Sequence, residues 1–221
     1  MRLLINIFCL GILTLATASC CVLKMDNVTA EATAAAGGAC VLTEDGGDPI
    51  LGIQVGNYFV LEPGACTGDL SFGAGLLYSR RGFTDSNEYE EGGDGMEPMS
   101  YSSETTLSTH YLDIPVIARM PITGGLSAYA GPQASILLGA KRTYEVNGQE
   151  AGSEKGTDGL NGLDLGFTVG VKYELNNGLQ LGLGLDQGLR DVYKSEYGSS
   201  KSKNQVIKAT VGLNINKFKN R

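Results

Sequence analysis

A strict alternation of apolar and polar residues runs through the second half of the chain. From Leu163 to Leu175 every second residue is apolar, and the residues between them are polar or Gly. The pattern resumes over Leu179–Asp186, after Asn176-Asn177-Gly178. A period of two places successive side chains on opposite faces of a β-strand, and Asn-Gly favours the positive φ angles of a tight hairpin. This segment therefore predicts a β-hairpin with one apolar and one polar face.

Similar alternation elsewhere predicts an all-β protein with eight antiparallel strands. The predicted strands are 28–42, 50–61, 69–84, 104–121, 125–146, 162–175, 178–193 and 204–218. The predicted short turns are 62–69, 122–125 and 176–178, and the longer polar loops are 43–49, 84–103, 145–161 and 191–204. Short connections at one end and long loops at the other are typical of an up-and-down outer-membrane barrel, whose short turns face the periplasm. Each strand has at least the ~9–11 residues that a tilted transmembrane strand needs.

The N-terminus is predicted to be an export signal. Arg2 is followed by the apolar stretch Leu3–Leu15 and by Ala16-Thr17-Ala18, a small-x-small cleavage site. This predicts a signal peptide over 1–18 and a barrel domain over 19–221. A second interpretation stays open, because the residues before Cys20 also approach a lipoprotein signal, with Cys20 as the lipidated residue.

The composition of the polar face favours a membrane barrel over a soluble one. This face carries Gly, Ser, Thr, Gln and Asn with a few charges of both signs, whereas a soluble barrel would expose a highly charged face to water. Since an eight-stranded barrel has room inside only for side chains, its interior charges are expected to pair and fill the lumen. The predicted lumen network consists of Asp113, Arg119, Asp164, Lys172, Glu174, Asp186, Arg190 and Lys208. Asp113 and Arg119 are expected to form a salt bridge. The tyrosines, which include Tyr58, Tyr78 and Tyr111, are candidates for the aromatic girdles.

No residue pattern points to catalysis, a cofactor or a metal. The chain has one His, His110, and four Cys after the signal, whose spacing matches no zinc or redox motif. The acidic loop over 85–104 lacks EF-hand spacing. A net charge of -7 argues against nucleic-acid binding, which needs clustered Lys and Arg.

Three stretches resemble a known family, the small outer-membrane β-barrel proteins of the PorT-like and OmpX-like type. Leu76–Gly82 resembles the strand end "LLYS-x-x-G" of that family, and Tyr111–Arg119 is similar to its "YL-acidic-IP" strand. Ala130-Gly131-Pro132 matches its "AGP" strand start, and together with the Gly-rich Leu163–Leu189 hairpin the resemblance covers roughly residues 50–218. The resemblance implies a fold and a location in the bacterial outer membrane. It implies no particular activity, because the family is mostly a barrel scaffold with variable loops.

Taken together, the sequence predicts a structural or surface-binding outer-membrane protein without catalytic activity. Its expected partners are outer-membrane lipid, the barrel-assembly machinery, and a surface ligand or envelope protein at the loops 84–103, 145–161 and 191–204. Two alternatives are kept: a narrow pore or accessory component of transport or secretion, and a soluble periplasmic barrel that binds a lipid.

Overall fold

The computed structural model describes residues 28–43, 47–61, 69–91, 99–194 and 202–219. The predicted signal peptide, Cys20 and the turn over 62–68 lie outside these ranges. Nine antiparallel strands and a short C-terminal helix occur in the described residues. They are β1 (Val28–Thr43), β2 (Asp48–Leu61), β3 (Ser71–Glu91), β4 (Met99–Thr123), β5 (Leu126–Val146), β6 (Gln149–Lys155), β7 (Leu163–Glu174), β8 (Leu179–Asp191), β9 (Ser202–Asn214) and α1 (Ile215–Lys219). No helix in these ranges is long and apolar enough to cross a bilayer.

Eight of the nine strands close into a ring, which confirms the predicted eight-stranded antiparallel barrel. The order around the sheet is β4-β3-β2-β1-β9-β8-β7-β5, and β5 pairs again with β4. The chain ends meet at the β1–β9 pairing, which runs from Glu31↔Asn214 to Thr43↔Ser202. The Ala-rich segment predicted as the first strand is thus β1, and it closes the barrel.

Two of the predicted long loops are partly strand. β3 and β4 continue pairing past the barrel from Thr84↔Thr106 to Glu91↔Met99, so most of the loop predicted over 84–103 is a ribbon of two strands, at whose base Ser103–Thr105 of β4 also pair with β5. We call this ribbon, residues 85–91 with 99–105, the β3–β4 arm. The loop predicted over 145–161 contains the ninth strand, β6, which pairs only with β5. Both predictions were wrong for the same reason: polar, two-sided strands outside a membrane lack the alternation that marks strands inside it.

Each of the tight turns contains at least one glycine with a positive φ angle. Gly124 and Gly125 have φ of 48° and 90° and form a two-residue loop between Thr123 and Leu126. Asn147 and Gly148 have φ of 52° and 75°, as type I′ hairpin turns require, and they join β5 to β6. In the predicted Asn176–Gly178 turn only Gly178 has a positive φ, 83°, so this connection is a three-residue loop rather than a two-residue one.

The two faces of the barrel differ sharply in polarity. Side chains that point outward are mostly Leu, Ile, Val and Phe, and many are 40–65% exposed, such as Leu183 at 64% and Ile207 at 65%. Those that point inward are mostly polar or charged, and they are buried. An apolar outer surface of this extent is stable only against lipid, where the closed ring also satisfies every backbone donor and acceptor. The soluble lipid-binding barrel, which would need its apolar face inside, is thereby excluded.

We predict that a charge on the outer wall destabilises the protein according to its depth. Leu183→Arg, in the middle of β8, should lower the free energy of unfolding by about 2–4 kcal/mol, since Arg at mid-bilayer loses its hydration. The matched variant Ile122→Arg, beside the β4–β5 turn, should cost only about 0–1 kcal/mol, because its guanidinium reaches the interface. Urea unfolding in phospholipid vesicles measures both, and equal losses would contradict a transmembrane placement.

Candidate functional site in the barrel lumen

The lumen is the candidate site because the strands place their charged side chains there. Among the described lumen residues, four cations, Arg81, Arg119, Lys172 and Lys208, accompany four carboxylates, Glu31, Asp113, Asp164 and Asp186. All eight are largely or fully buried. Since a buried charge is tolerated only when it is paired and hydrogen-bonded, the geometry of these contacts decides whether the lumen is a site or a filled core.

The first network is centred on Glu31 of β1. Arg119 of β4 donates to both carboxylate oxygens, over 2.8 and 2.6 Å, which is the bidentate arrangement that strengthens such pairs. The Nζ of Lys172 on β7 lies 2.8 Å from Oε2, and Gln180 of β8 donates to Oε1 over 2.8 Å. Gln180 also donates to Glu174 at the periplasmic rim, where Glu174 pairs with Lys217 of α1. Glu31 therefore ties four strands that lie around the ring.

The second network is centred on Gln54 of β2. Its amide donates to Asp113 of β4 over 2.9 Å and more weakly to Asp186 of β8 over 3.4 Å. Its carbonyl oxygen accepts from Lys208 of β9 over 2.8 Å, and Lys208 pairs with Asp186 at 2.7 Å. Asp113 also forms a salt bridge with Arg81 of β3, over 2.5 Å. This network links the two opposite halves of the barrel through one glutamine.

Aromatic side chains fill the space between the charges. Tyr58, Val60, Leu77, Ile117 and Tyr129 form one buried cluster. A Cβ at Gly170 or Gly184 would lie 2.5 Å from Tyr129 Oη, so glycine on two neighbouring strands makes room for this ring. Lys172 Nζ lies 5.7 Å from the Tyr58 ring centroid and Arg81 lies 5.0 Å from that of Tyr111, both within cation–π range. Tyr58 and Tyr111 are therefore lumen residues, and their prediction as girdle aromatics was wrong; Phe59, Tyr78 and Tyr173 are exposed on the outer wall.

The outer end of the lumen is closed by a different kind of cluster. Asp164 accepts from Asn204 over 2.9 Å and from the backbone N–H of Arg190 over 3.3 Å. Beyond them, side chains from three strands pack against two loop residues, Leu160 and Val192. The strand residues of this apolar cap are Phe83, Leu107 and Ala140. Tyr193, which packs against the cap, forms a bridge with Leu160, and burial raises the pKa of its phenol.

The structure places six of the eight predicted network residues in these buried contacts, but the predicted partners differ. Asp113 pairs with Arg81, and Arg119 pairs with Glu31. The expected Asp113–Arg119 salt bridge was wrong, because residues six apart on one strand are about 20 Å apart. Arg190 is exposed at the outer rim, where the β8–β9 register shifts after Gln187, so its assignment to the lumen was also wrong. The remaining predicted residue, Glu174, is half-buried at the periplasmic rim.

Two charges in the networks, Glu31 and Arg81, were missed by the sequence analysis. Glu31 stands in the Ala-rich segment, on the same alternate positions as Thr29 and Thr33. Arg81 continues the buried positions Leu77 and Ser79 of β3. In both cases the phase of the alternation was sufficient to predict that the side chain points inward.

Two cavities that lie between described lumen side chains are very small. One of about 10 Å³ lies beside Gln54 and Asp186, and one of about 20 Å³ lies beside Tyr58 and Lys172. A cavity needs roughly 10–15 Å³ to hold a single water, so neither holds a solute. No three metal-ligating side chains of the described ranges lie together. The contacts among the described lumen side chains thus hold the ring together in cross-section.

We predict that Glu31→Gln destabilises the barrel by about 3–5 kcal/mol, because two buried cations lose the carboxylate between them. Replacing the group by apolar residues, Glu31→Leu with Arg119→Leu and Lys172→Met, should recover most of that loss. Glu174→Gln at the rim is the matched control and should cost less than about 1 kcal/mol. Urea unfolding in vesicles measures all three, and a Glu31→Gln protein as stable as the control variant would refute a structural network.

Comparison with known proteins agrees with this architecture. A family model described as outer membrane protein beta-barrel domain matches residues 48–194. No curated protein matches the chain. Among solved structures, Neisserial surface protein A is 15% identical with a TM-score of 0.46, covering 85% of this chain and 97% of that chain. Ail, the attachment invasion locus protein of Yersinia pestis, is 11% identical with a TM-score of 0.38, covering 84% and 97%.

The outer membrane enzyme PagL is also similar in structure. It is 12% identical with a TM-score of 0.39, covering 83% of this chain and 98% of that chain. The family match includes the whole of β2 to β8, which form much of the ring and supply Gln54, Arg81, Asp113 and Lys172 to the lumen networks. Because that match spans more than half of the sequence, the chain belongs to the outer membrane protein β-barrel domain family.

Proposed function

We propose that this outer-membrane protein has no transport or catalytic role and acts as a surface-binding barrel whose β3–β4 arm contacts a partner outside the cell. The observation that carries the proposal is the packing of the lumen, where paired charges of the described residues surround two cavities of only about 10 and 20 Å³. With the interior occupied, the parts of the molecule available to a partner are those beyond the outer rim. Export through the inner membrane by the predicted signal peptide belongs to the same proposal.

The β3–β4 arm has the features of a binding element. Its strands remain paired for seven rungs beyond Thr84↔Thr106, so it projects as an ordered ribbon. Tyr89 and Tyr101 stack near its tip, with ring centroids 5.3 Å apart and both side chains exposed. Rigid exposed aromatics of this kind are common anchors in protein interfaces.

The charge of the arm indicates the chemistry of its partner. Residues 85–104 contain seven carboxylates and no Lys or Arg. β2 pairs with β3 no further out than Thr84, so in the described ranges the edge of β3 beyond that residue lacks a neighbouring strand. An acidic edge repels a second copy of itself, which protects it from self-association, and it attracts a cationic surface.

The geometry around the single histidine supports a role without catalysis. His110 Nδ1 lies 2.6 Å from Tyr78 Oη on the outer wall, and the two rings stack with centroids 5.9 Å apart. In the described residues no carboxylate orients this imidazole and no serine hydroxyl is bonded to it. A Ser–His–acid arrangement for nucleophilic catalysis would need both the nucleophile and the orienting acid in place.

The alternative of a narrow pore is tested by single-channel recording in planar bilayers. We expect no conductance steps from the wild-type protein, because the lumen networks occlude the barrel. Conductance steps from wild-type protein that heat-modifiable gel mobility shows to be folded would establish a pore.

The binding role is tested by shortening the arm. Asp85 and Thr105 are register partners, so residues 86–104 can be replaced by Asn-Gly, which closes a two-residue hairpin. Proteoliposomes with the wild-type protein should be retained on an amine-coated surface, and the shortened protein should lose most of that retention.

The matched control shortens the other hairpin. Lys141 and Lys155 are also register partners, and replacing residues 142–154 by Asn-Gly keeps every residue of the acidic arm, although it removes the β5 residues that pair with Ser103–Thr105 at the base of the arm. This control should be retained like the wild type on the amine-coated surface. Equal loss in both variants, or equal retention of all three proteins, would rule out the arm as the binding element.

A further inference from the structure

The outer wall of the barrel changes from apolar to cationic over two successive outward rungs, near the end that carries the arm. On β3 the outward residue after Leu76 and Tyr78 is Arg80, and its register partner on β4 is His110. One rung further out, Ser108 of β4 is in register with Lys141 of β5, which is in register with Lys155 of β6. Directly paired residues point to the same face, so three cations and the imidazole form a row across four neighbouring strands.

This row borders a groove of about 300 Å³ on the outer face of β3–β5. Arg80, His110 and Lys141 line it together with Ser108, two threonines and Glu145. The guanidinium of Arg80 is positioned by Ser108 Oγ, which lies 3.2 Å from Nε and 3.0 Å from one terminal nitrogen. His110 is positioned by Tyr78 through the 2.6 Å contact. The groove is therefore partly ordered before any ligand arrives.

The charges on this wall are segregated rather than paired. Lys141 and Lys155 are directly opposite each other, an arrangement that is unfavourable without an anion between them. The acids of the same face lie further out, where Glu104, Glu145 and Glu150 are in register with one another. Four residues separate Lys141 from Glu145, about 14 Å along a strand. In the described residues, neither Arg80 nor Lys141 forms a salt bridge with a carboxylate.

We propose that this groove binds the phosphate group of a lipid in the outer leaflet of the outer membrane. On β3 and β4 the row begins one outward residue beyond Tyr78 and Leu112, where the apolar wall ends. This level corresponds to the depth of the lipid headgroups. Arginine offers a planar fork to phosphate oxygens, lysine adds a point charge, and Ser and Thr hydroxyls donate further hydrogen bonds. A phosphate there also neutralises the repulsion between Lys141 and Lys155. The site lies on the membrane-facing wall and does not depend on the β3–β4 arm.

The test compares two lipids that differ only in the phosphate. Purified protein in detergent is mixed with phosphatidic acid or with diacylglycerol of the same acyl chains, and native mass spectrometry counts the lipids retained. We expect the wild type to retain phosphatidic acid in preference to diacylglycerol. Arg80→Gln with Lys141→Gln should reduce this preference by about 25-fold, because each cation near an anionic headgroup contributes about a fivefold factor.

The matched control removes two cations of the same rim on β8 and β9, the strands that lie across the ring from β3 and β4: Arg190→Gln with Lys203→Gln. It should keep the wild-type preference, and heat-modifiable mobility should show that every variant is folded. An unchanged preference for phosphatidic acid in the Arg80/Lys141 variant would contradict the proposed site. An equal loss of preference in the control would show that the net charge of the rim, and not this groove, retains the lipid, and would also contradict it. Displacement of the lipid by inorganic phosphate as readily as by phosphatidic acid would show a free-anion site and overturn the lipid assignment.

Discussion

The structure depends on one constraint, that a backbone in lipid must satisfy its hydrogen bonds without water. A sheet can do this only by closing on itself, and the β1–β9 pairing from Glu31↔Asn214 to Thr43↔Ser202 completes that closure. A ring of eight strands is too narrow for anything but side chains. The polar face of every strand is thereby forced into a small, dry space. Charges in that space must find partners, and the networks around Glu31 and Gln54 provide them.

The same constraint explains why the partners come from distant strands. A charge that points into a narrow lumen lies nearer to the opposite wall than to a like-facing residue several rungs along its own strand. Glu31 accordingly contacts β4, β7 and β8, and Gln54 contacts β4, β8 and β9. Such contacts hold the ring in cross-section, a direction in which the backbone ladder gives little resistance. The backbone hydrogen bonds thus join neighbouring strands, and the lumen side chains fix the cross-section of the barrel.

The sequence predicted the barrel well because membrane strands must alternate, and alternation is a local signal. It predicted the inward face of six lumen charges, but not their height in the lumen, so it paired Asp113 with Arg119 on one strand instead of with Arg81. Outside the membrane the requirement for alternation ends. The β3–β4 arm and β6 were therefore interpreted as loops, although Asn147-Gly148 carried a recognisable turn signal. Cross-barrel pairing and the layered charges of the outer wall depend on strand register and stagger, which no single segment specifies.

The division between barrel and rim has a consequence for function. Because the lumen networks and the apolar wall stabilise the ring, the residues beyond the rim are not needed for closure and are free to vary in charge. They are used asymmetrically: cations lie next to the lipid on β3 to β6, and carboxylates lie further out on the same strands. A dispersed mixture of both signs would serve solubility equally well. Sorting the signs by height instead directs a positive layer at the membrane surface and a negative arm at whatever approaches from outside. The side of the barrel that carries the arm is therefore also the side that fits a lipid phosphate, so a partner bound to the arm would be held close to the headgroups.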